Sequence, residues 1–214
     1  MSDRSFSEWV EQVRSGAYVG SFPTDTVPAL ATVPASAGLI YQAKGRSLEK
    51  PLILMAGEVD DLWEYLAGSD AEREIWRAMM GQYFPGAVTL VLPSNDRVPI
   101  TMNPLNPGTI GVRVPNSKPA RSILRATGPL ATTSVNRSGE PALLTLSEIR
   151  QQFPAVLTLS DDALNAIGFV NPGIKVDGVP STVVRWTVNG WEVLRQGKTI
   201  ILSTNRLSIK KSIG

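Results

Sequence analysis

Val183-Val184-Arg185-Trp186-Thr187-Val188-Asn189-Gly190-Trp191-Glu192-Val193-Leu194-Arg195 reads as two strands joined by a tight turn at Asn189-Gly190. β-Branched and aromatic residues fill both arms, and both residues of an Asn-Gly pair accept the positive φ that a two-residue hairpin demands. Upstream, short apolar runs at 17–22, 51–56, 87–92, 109–114 and 130–135 are bounded by Gly or Pro and read as further strands. Helical patterns alternate with them. Residues 5–15, 69–83 and 145–153 each open on a reciprocal cap, Ser5 with Glu8, Ser69 with Glu72 and Thr145 with Glu148. Residues 36–44 and 119–127 carry apolar residues at helical spacing, as do Val59, Leu62, Trp63 and Leu66. Alternation followed by a late antiparallel hairpin predicts an α/β (α+β) fold built on a mixed β-sheet with packed helices, rather than a strictly parallel sheet.

The chain has 214 residues, 43% of them apolar. Against about 150 residues for a typical domain, this length predicts one large domain with one sizeable core. Periodicity is lost after Leu202, so residues 1–202 are read as the domain and residues 203–214 as a basic, mobile tail. No run approaches the ~20 apolar residues that span a bilayer, and the N-terminus lacks a signal-peptide pattern, which predicts a cytoplasmic protein.

Cysteine and histidine are both absent. Their absence excludes disulfides, a thiol nucleophile, a Ser-His-Asp triad and a histidine-held catalytic metal. Carboxylate or lysine acid/base work, a metal carried in by a substrate, and electrostatic stabilisation of charged reactants remain. The net charge is only +2, but the charges are segregated. Glu58, Asp60, Asp61, Glu64, Asp70, Glu72 and Glu74 face one base, Arg73, in their stretch, whereas Arg97, Arg113, Lys118, Arg121, Arg125 and Arg137 follow with no acid between Arg97 and Gly139. Such a distribution suits an anionic ligand if the bases gather in space.

Two polar clusters fall at strand ends. Lys44-Gly45-Arg46 with Lys50 sets three cations around a glycine that permits close backbone approach, although cations at a helix C-terminus also complement its dipole. Thr132-Thr133-Ser134-Val135-Asn136-Arg137-Ser138-Gly139 is dense in donors and reads either as an anion-cradling nest or as a polar turn. Neither a Walker A loop nor a G-x-G-x-x-G loop is present. Asp60-Asp61 and Asp161-Asp162 fall at helix-start or turn positions and read as caps, not as acid/base pairs, which leaves Asp25, between two threonines, as the acid of interest.

Seven motifs in order resemble the YrdC/Sua5 family. They are Pro23-Thr24-Asp25-Thr26, Lys44-Gly45-Arg46 with Lys50-Pro51-Leu52, Phe84-Pro85-Gly86-Ala87-Val88-Thr89, Gly111-Val112-Arg113-Val114-Pro115, Ser134-Val135-Asn136-Arg137-Ser138-Gly139, Pro180-Ser181-Thr182-Val183-Val184 and Leu194-Arg195-Gln196-Gly197. The resemblance implies a twisted sheet around a concave, basic cavity. It implies L-threonylcarbamoyladenylate synthase activity in tRNA modification: threonine and bicarbonate form a carbamate that attacks the α-phosphate of ATP, a nucleotidyl transfer with Mg2+ carried on the phosphates and no metal ligands from the protein. A downstream threonylcarbamoyl transferase is the implied partner, with tRNA or double-stranded RNA as a further one and no membrane.

Carried over by position, Lys44 and Arg46 are the catalytic candidates, Lys44 at the phosphates. Arg46, Lys50, Thr109, Ser134, Asn136 and Arg195 are expected to bind ATP, and Thr26, Arg113, Thr132 and Ser181 to bind threonine, Arg113 through the carboxylate. The chain departs from the family at Pro28-Ala29-Leu30, where Tyr-Gly-Leu is usual, and at Ser47, Met55 and Val135. A non-catalytic member that binds RNA or nucleotide through the same cavity is the alternative; Thr26 and Ser181 together favour the enzyme.

Overall fold

The computed structural model describes residues 3–105, 108–169 and 178–202. In chain order its elements are α1 (Phe6–Arg14), β1 (Gly20–Phe22), β2 (Ala29–Thr32), α2 (Gly38–Lys44), β3 (Ile53–Met55), α3 (Asp70–Tyr83), β4 (Val88–Pro93), β5 (Thr109–Arg113), α4 (Lys118–Thr127), β6 (Leu130–Ser134), α5 (Leu146–Gln152), α6 (Asp161–Ala166), β7 (Thr182–Thr187) and β8 (Gly190–Arg195). All three capping boxes form, with Glu8, Glu72 and Glu148 each reaching back to the backbone N–H of its cap residue. α2 stops at Gly45, whose φ of 58° and ψ of 38° lie in the left-handed region that only glycine enters at little cost.

Among the described residues the strands make one eight-stranded mixed sheet in the order β1-β2-β6-β3-β5-β4-β7-β8. The β3/β5 and β4/β7 pairs are parallel and the others antiparallel. The late hairpin forms, but its register pairs Thr187 with Gly190, so Val188 and Asn189 make the turn and Gly190, at φ 102°, opens β8. The turn therefore sits one residue earlier than Asn189-Gly190. The Thr187 hydroxyl accounts for this, accepting from Asn189 N–H at 3.2 Å and donating to the Gly190 carbonyl at 2.8 Å.

Two further expectations need correction. The stripe from Val59 to Leu66 is a 3-10 helix over Asp60–Tyr65; Val59 at its cap has no side chain to satisfy the first N–H groups, and only six residues follow. Asp161 and Asp162 lie inside the first turn of α6, where they complement its dipole, while Ser160 makes the cap by accepting from Ala163 N–H. Residues 203–214, read as a tail, lie outside the described residues.

Because side chains alternate across a sheet, each strand serves two environments. Leu30, Leu54, Leu90, Val112, Ala131 and Val184 belong to a core shared with Ile40 of α2 and Trp76 and Met80 of α3. On the other face Ala29, Ala31, Met55 and Leu130 join Trp9 and Val13 of α1, Ile123 and Leu124 of α4 and Leu164 of α6 in a second cluster. At roughly 25 cal/mol per Å2, burying Trp9 and Trp76 alone contributes a few kcal/mol each. The second cluster covers only part of its face. The remainder, over β3, β4, β5, β6 and β7, is the floor of a cavity.

Candidate active site

The cavity measures about 590 Å3. Its floor is a period-two set: Ile53 and Met55, Gly111 and Arg113, Thr89 and Val91, Thr132 and Ser134, Ser181 and Val183. The register sets Gly111 between Ile53 and Val91. A Cβ at Gly111 would lie 2.9 Å from Ile53 Cγ2 and 3.3 Å from Thr89 Cγ2, so the missing side chain keeps the floor open. β5 runs the length of the floor, and at about 3.3 Å per residue Thr109 lies roughly 13 Å from Arg113.

At the Arg113 end, Nε donates to the Gly86 carbonyl at 2.9 Å, Nη1 to the Thr26 hydroxyl at 2.9 Å and Nη2 to Asp25 Oδ1 at 2.6 Å. Burial pulls the guanidinium down from its ordinary pKa, and the Asp25 carboxylate pulls it back. Thr26 is fully buried and stands on a local turn, in which the Thr24 hydroxyl accepts from Thr26 N–H at 3.1 Å and donates to the Val27 carbonyl at 2.8 Å. Ser181 and Thr89 share a hydroxyl contact of 2.9 Å, and Arg195 Nη2 donates to the Ser181 carbonyl at 2.7 Å. Thr132 lies on the same floor and donates to the Ile53 carbonyl at 3.3 Å.

Gly197 follows closely. A Cβ there would lie 2.3 Å from the Pro180 carbonyl oxygen and 2.5 Å from the Ser181 carbonyl carbon. The chain after β8 thus presses directly on the backbone that carries Ser181, and Lys198 N–H donates to the Pro180 carbonyl at 2.8 Å.

Lys44, expected at the phosphates, does not line the cavity. It is 3% exposed; its ammonium donates to the Ser134 carbonyl at 2.6 Å, Asn136 Oδ1 at 2.8 Å and Ser134 Oγ at 3.2 Å. Burial pulls its pKa down to about 7, helped by the charges of Arg46 and then Lys50. Asn136 also stands behind the wall, with its amide nitrogen donating to the Arg137 and Glu140 carbonyls. Lys44 and Asn136 therefore shape the loop that holds Ser134, which does line the cavity. Arg46, Lys50 and Thr109 line it as well; Arg46 is steadied by the Lys50 and Pro51 carbonyls and Thr109 by Asn103.

The wall carries five cations, Arg46, Lys50, Arg113, Arg185 and Arg195, against one carboxylate, Glu49. The basic stretch as a whole does not converge there. Arg97 pairs with Glu64 at 2.7 Å, and Arg121 and Arg125 both pair with Glu58, so the acidic segment absorbs half of those bases. Of that stretch, Arg113 is the base found on the wall. Sequence reasoning passed over Thr89, Asn103 and Arg185. Arg185 could have been found by stepping two residues along β7 from Val183, since alternate strand residues share a face.

A family model described as telomere recombination, for Sua5, YciO and YrdC proteins, matches residues 11–197. The chain is 35% identical over 170 residues to a threonylcarbamoyl-AMP synthase of Chromohalobacter salexigens, covering 76% of this chain and 86% of that protein. It is 32% identical to the Rattus norvegicus threonylcarbamoyl-AMP synthase, over 71% of this chain and 53% of the rat protein. The structure of P. abyssi Sua5 complexed with L-threonine superposes with a TM-score of 0.75 at 26% identity, over 90% of this chain and 54% of that one. The chain thus spans about half the length of the rat and P. abyssi proteins. It belongs to the Sua5/YciO/YrdC family.

Proposed function

We propose that this protein is a threonylcarbamoyl-AMP synthase, making threonylcarbamoyl-AMP and pyrophosphate from L-threonine, bicarbonate and ATP. The observation that carries the reading is one cavity in which Thr26, from the loop before β2, and Ser181, just before β7, gather with Arg113 at one end of β5 while Thr109 stands at the other, with Arg46, Lys50 and Arg195 on the wall. The names of the relatives and the L-threonine complex of P. abyssi Sua5 support it.

In this reading Arg113 takes the threonine carboxylate, and Thr26, Thr132 and Ser181 line the pocket for its hydroxyl and methyl groups. The amine condenses with bicarbonate to a carbamate, with loss of water. A carbamate oxygen then attacks the α-phosphorus of ATP, the bond to the β-phosphate oxygen breaks and pyrophosphate leaves. The protein's part is to hold two anions in line and offset their repulsion without histidine or cysteine, and on the wall that charge comes chiefly from Arg46, Lys50 and Arg195, because Arg113 and Arg185 are already paired with Asp25 and Glu192. Arg46, Lys50, Thr109, Ser134 and Arg195 seat the nucleotide, and Lys44 and Asn136 act by holding Ser134. Magnesium enters with ATP as part of the substrate; among the described residues no group of three or more Asp or Glu side chains is gathered to hold a metal.

The product is a mixed anhydride, so its threonylcarbamoyl group passes to an acceptor through a transferase, with tRNA the acceptor and the cytoplasm the site of action in this reading. Among the described residues no helix is long and apolar enough to cross a membrane. The deciding experiment is pyrophosphate release and mass detection of threonylcarbamoyl-AMP with and without threonine and bicarbonate. Release that ignores both at saturating magnesium ATP rejects the synthase and leaves a nucleotide binder.

A further inference from the structure

Asp25 is absent from the cavity wall although its partner Arg113 is on it. The pair is close and dry, with Nη2 to Oδ1 at 2.6 Å and side chains only 4% and 13% exposed. A guanidinium has five N–H groups, and Gly86, Thr26 and Asp25 take one each, leaving two for a ligand. Of those three partners only Asp25 carries charge. Without it a buried cation would stand uncompensated, free to swing towards any carbonyl that could solvate it.

Asp25 is itself fastened. Its loop is fixed by the Thr24 turn, and the Lys198 ammonium donates to the Asp25 main-chain carbonyl at 3.0 Å. Lys198 is held in turn by its own N–H on Pro180, next to Ser181.

We infer that Asp25, fastened by Lys198, is the positioning residue of the amino-acid pocket: it fixes the Arg113 guanidinium from behind so that its two remaining N–H groups meet the substrate carboxylate. The inference rests on the synthase reading for the identity of that substrate, but not for the geometry. It assigns Asp25 no contact with threonine. Asp25 therefore governs threonine affinity and leaves the nucleotide alone.

The test compares the full-length wild type with Asp25→Asn, Asp25→Glu and Lys198→Ala. Threonine is titrated calorimetrically in the presence of ATP, and ATP is titrated separately. Charge-assisted hydrogen bonds to a carboxylate are worth roughly ten- to a hundredfold in affinity, so Asp25→Asn should weaken threonine by about 10- to 100-fold and ATP by less than about threefold. Asp25→Glu should recover part of the loss, and Lys198→Ala should weaken threonine by roughly threefold. Unchanged threonine affinity in Asp25→Asn and Lys198→Ala overturns the proposal, and so do equal losses for both ligands. If Asp25→Asn does not fold, Lys198→Ala decides in its place. A second readout needs no substrate: the Arg113 Nε–H resonance, assigned with Arg113→Lys, should exchange slowly with water in the wild type and faster in Asp25→Asn. If the wild type binds no threonine the synthase reading fails, and this resonance alone judges Asp25; no change in its exchange rate overturns the assignment.

Discussion

The Lys44 ammonium donates to the main-chain carbonyl of Ser134 at 2.6 Å, joining the end of α2 to the end of β6 across 90 residues of sequence. A cation from a phosphate-like motif thus spends its donors on the protein, and its pKa is drawn down to about 7. The folded-state value lies below that of the unfolded chain. Both states hold the proton below about pH 7, whereas between pH 7 and the ordinary lysine value of 10.5 only the unfolded chain does. Unfolding then takes up a proton, so this group adds to stability as pH rises through that window. Lys44→Met removes the titration. The wild-type Tm minus the variant Tm should therefore grow between pH 6.5 and pH 9; a difference independent of pH would refute the assignment.

Arg46→Ala should weaken ATP binding far more than Lys118→Ala. Arg46 is a cavity cation braced by two carbonyls, and Lys118 is an exposed residue in the first turn of α4. Charge-assisted bonds inside a cavity contribute about 1.5–3 kcal/mol, roughly tenfold or more in affinity, against well under 1 kcal/mol for an exposed base. Arg121 is unsuitable as the control because it is bound to Glu58 and the Gly57 carbonyl. Equal losses in nucleotide titrations of the two variants would mean a diffuse basic surface.

Amino-acid choice follows from the hydroxyls at the Arg113 end. A pocket built on Thr26 and Ser181 leaves polar groups unpaired when valine replaces threonine, whereas an apolar pocket barely separates a methyl from a hydroxyl. Threonine should bind best in the presence of ATP, serine next and valine least. Equal binding of valine would show that Pro28 and Ala29, which line the cavity where the family has Tyr-Gly, have rebuilt the pocket.

Gly197→Ala probes the segment pressing on Ser181. Its new methyl would meet backbone atoms, which cannot rotate away, so the strand end or the segment must shift. Overpacking of this kind costs about 1–3 kcal/mol. A fall of several degrees in Tm, with a raised KM for threonine, is the expected result; an unchanged thermal scan and KM would show that the segment yields freely.

What was legible from the chain was local. Ser5, Ser69 and Thr145 announce their helices because a cap needs only residues three apart, and the hairpin needs only its own strands. Long-range facts were not legible. That Glu58 neutralises Arg121 and Arg125, or that Lys44 donates to the Ser134–Asn136 loop, depends on which elements the sheet brings together. Asp25 could be singled out as an isolated acid in a polar loop, but its partner became visible only when β5 set Arg113 beside it. Asp161-Asp162 marked where α6 starts, but its extent went unread because six residues carry too little periodicity.

The floor around Gly111 is also the reverse side of the core, since Val112 points into packing from the same strand on which Gly111 and Arg113 line the cavity. A ligand resting on that floor is linked to global unfolding: at a hundred times its Kd it adds about 2.7 kcal/mol to the stability of the whole chain. Melting temperature is therefore a direct gauge of occupancy, usable for screening substrates without any assay of turnover. It follows too that new specificities are more accessible through the exposed cavity residues Leu105 and Leu194 than through the floor, where each altered side chain also disturbs the strand pairing beneath it.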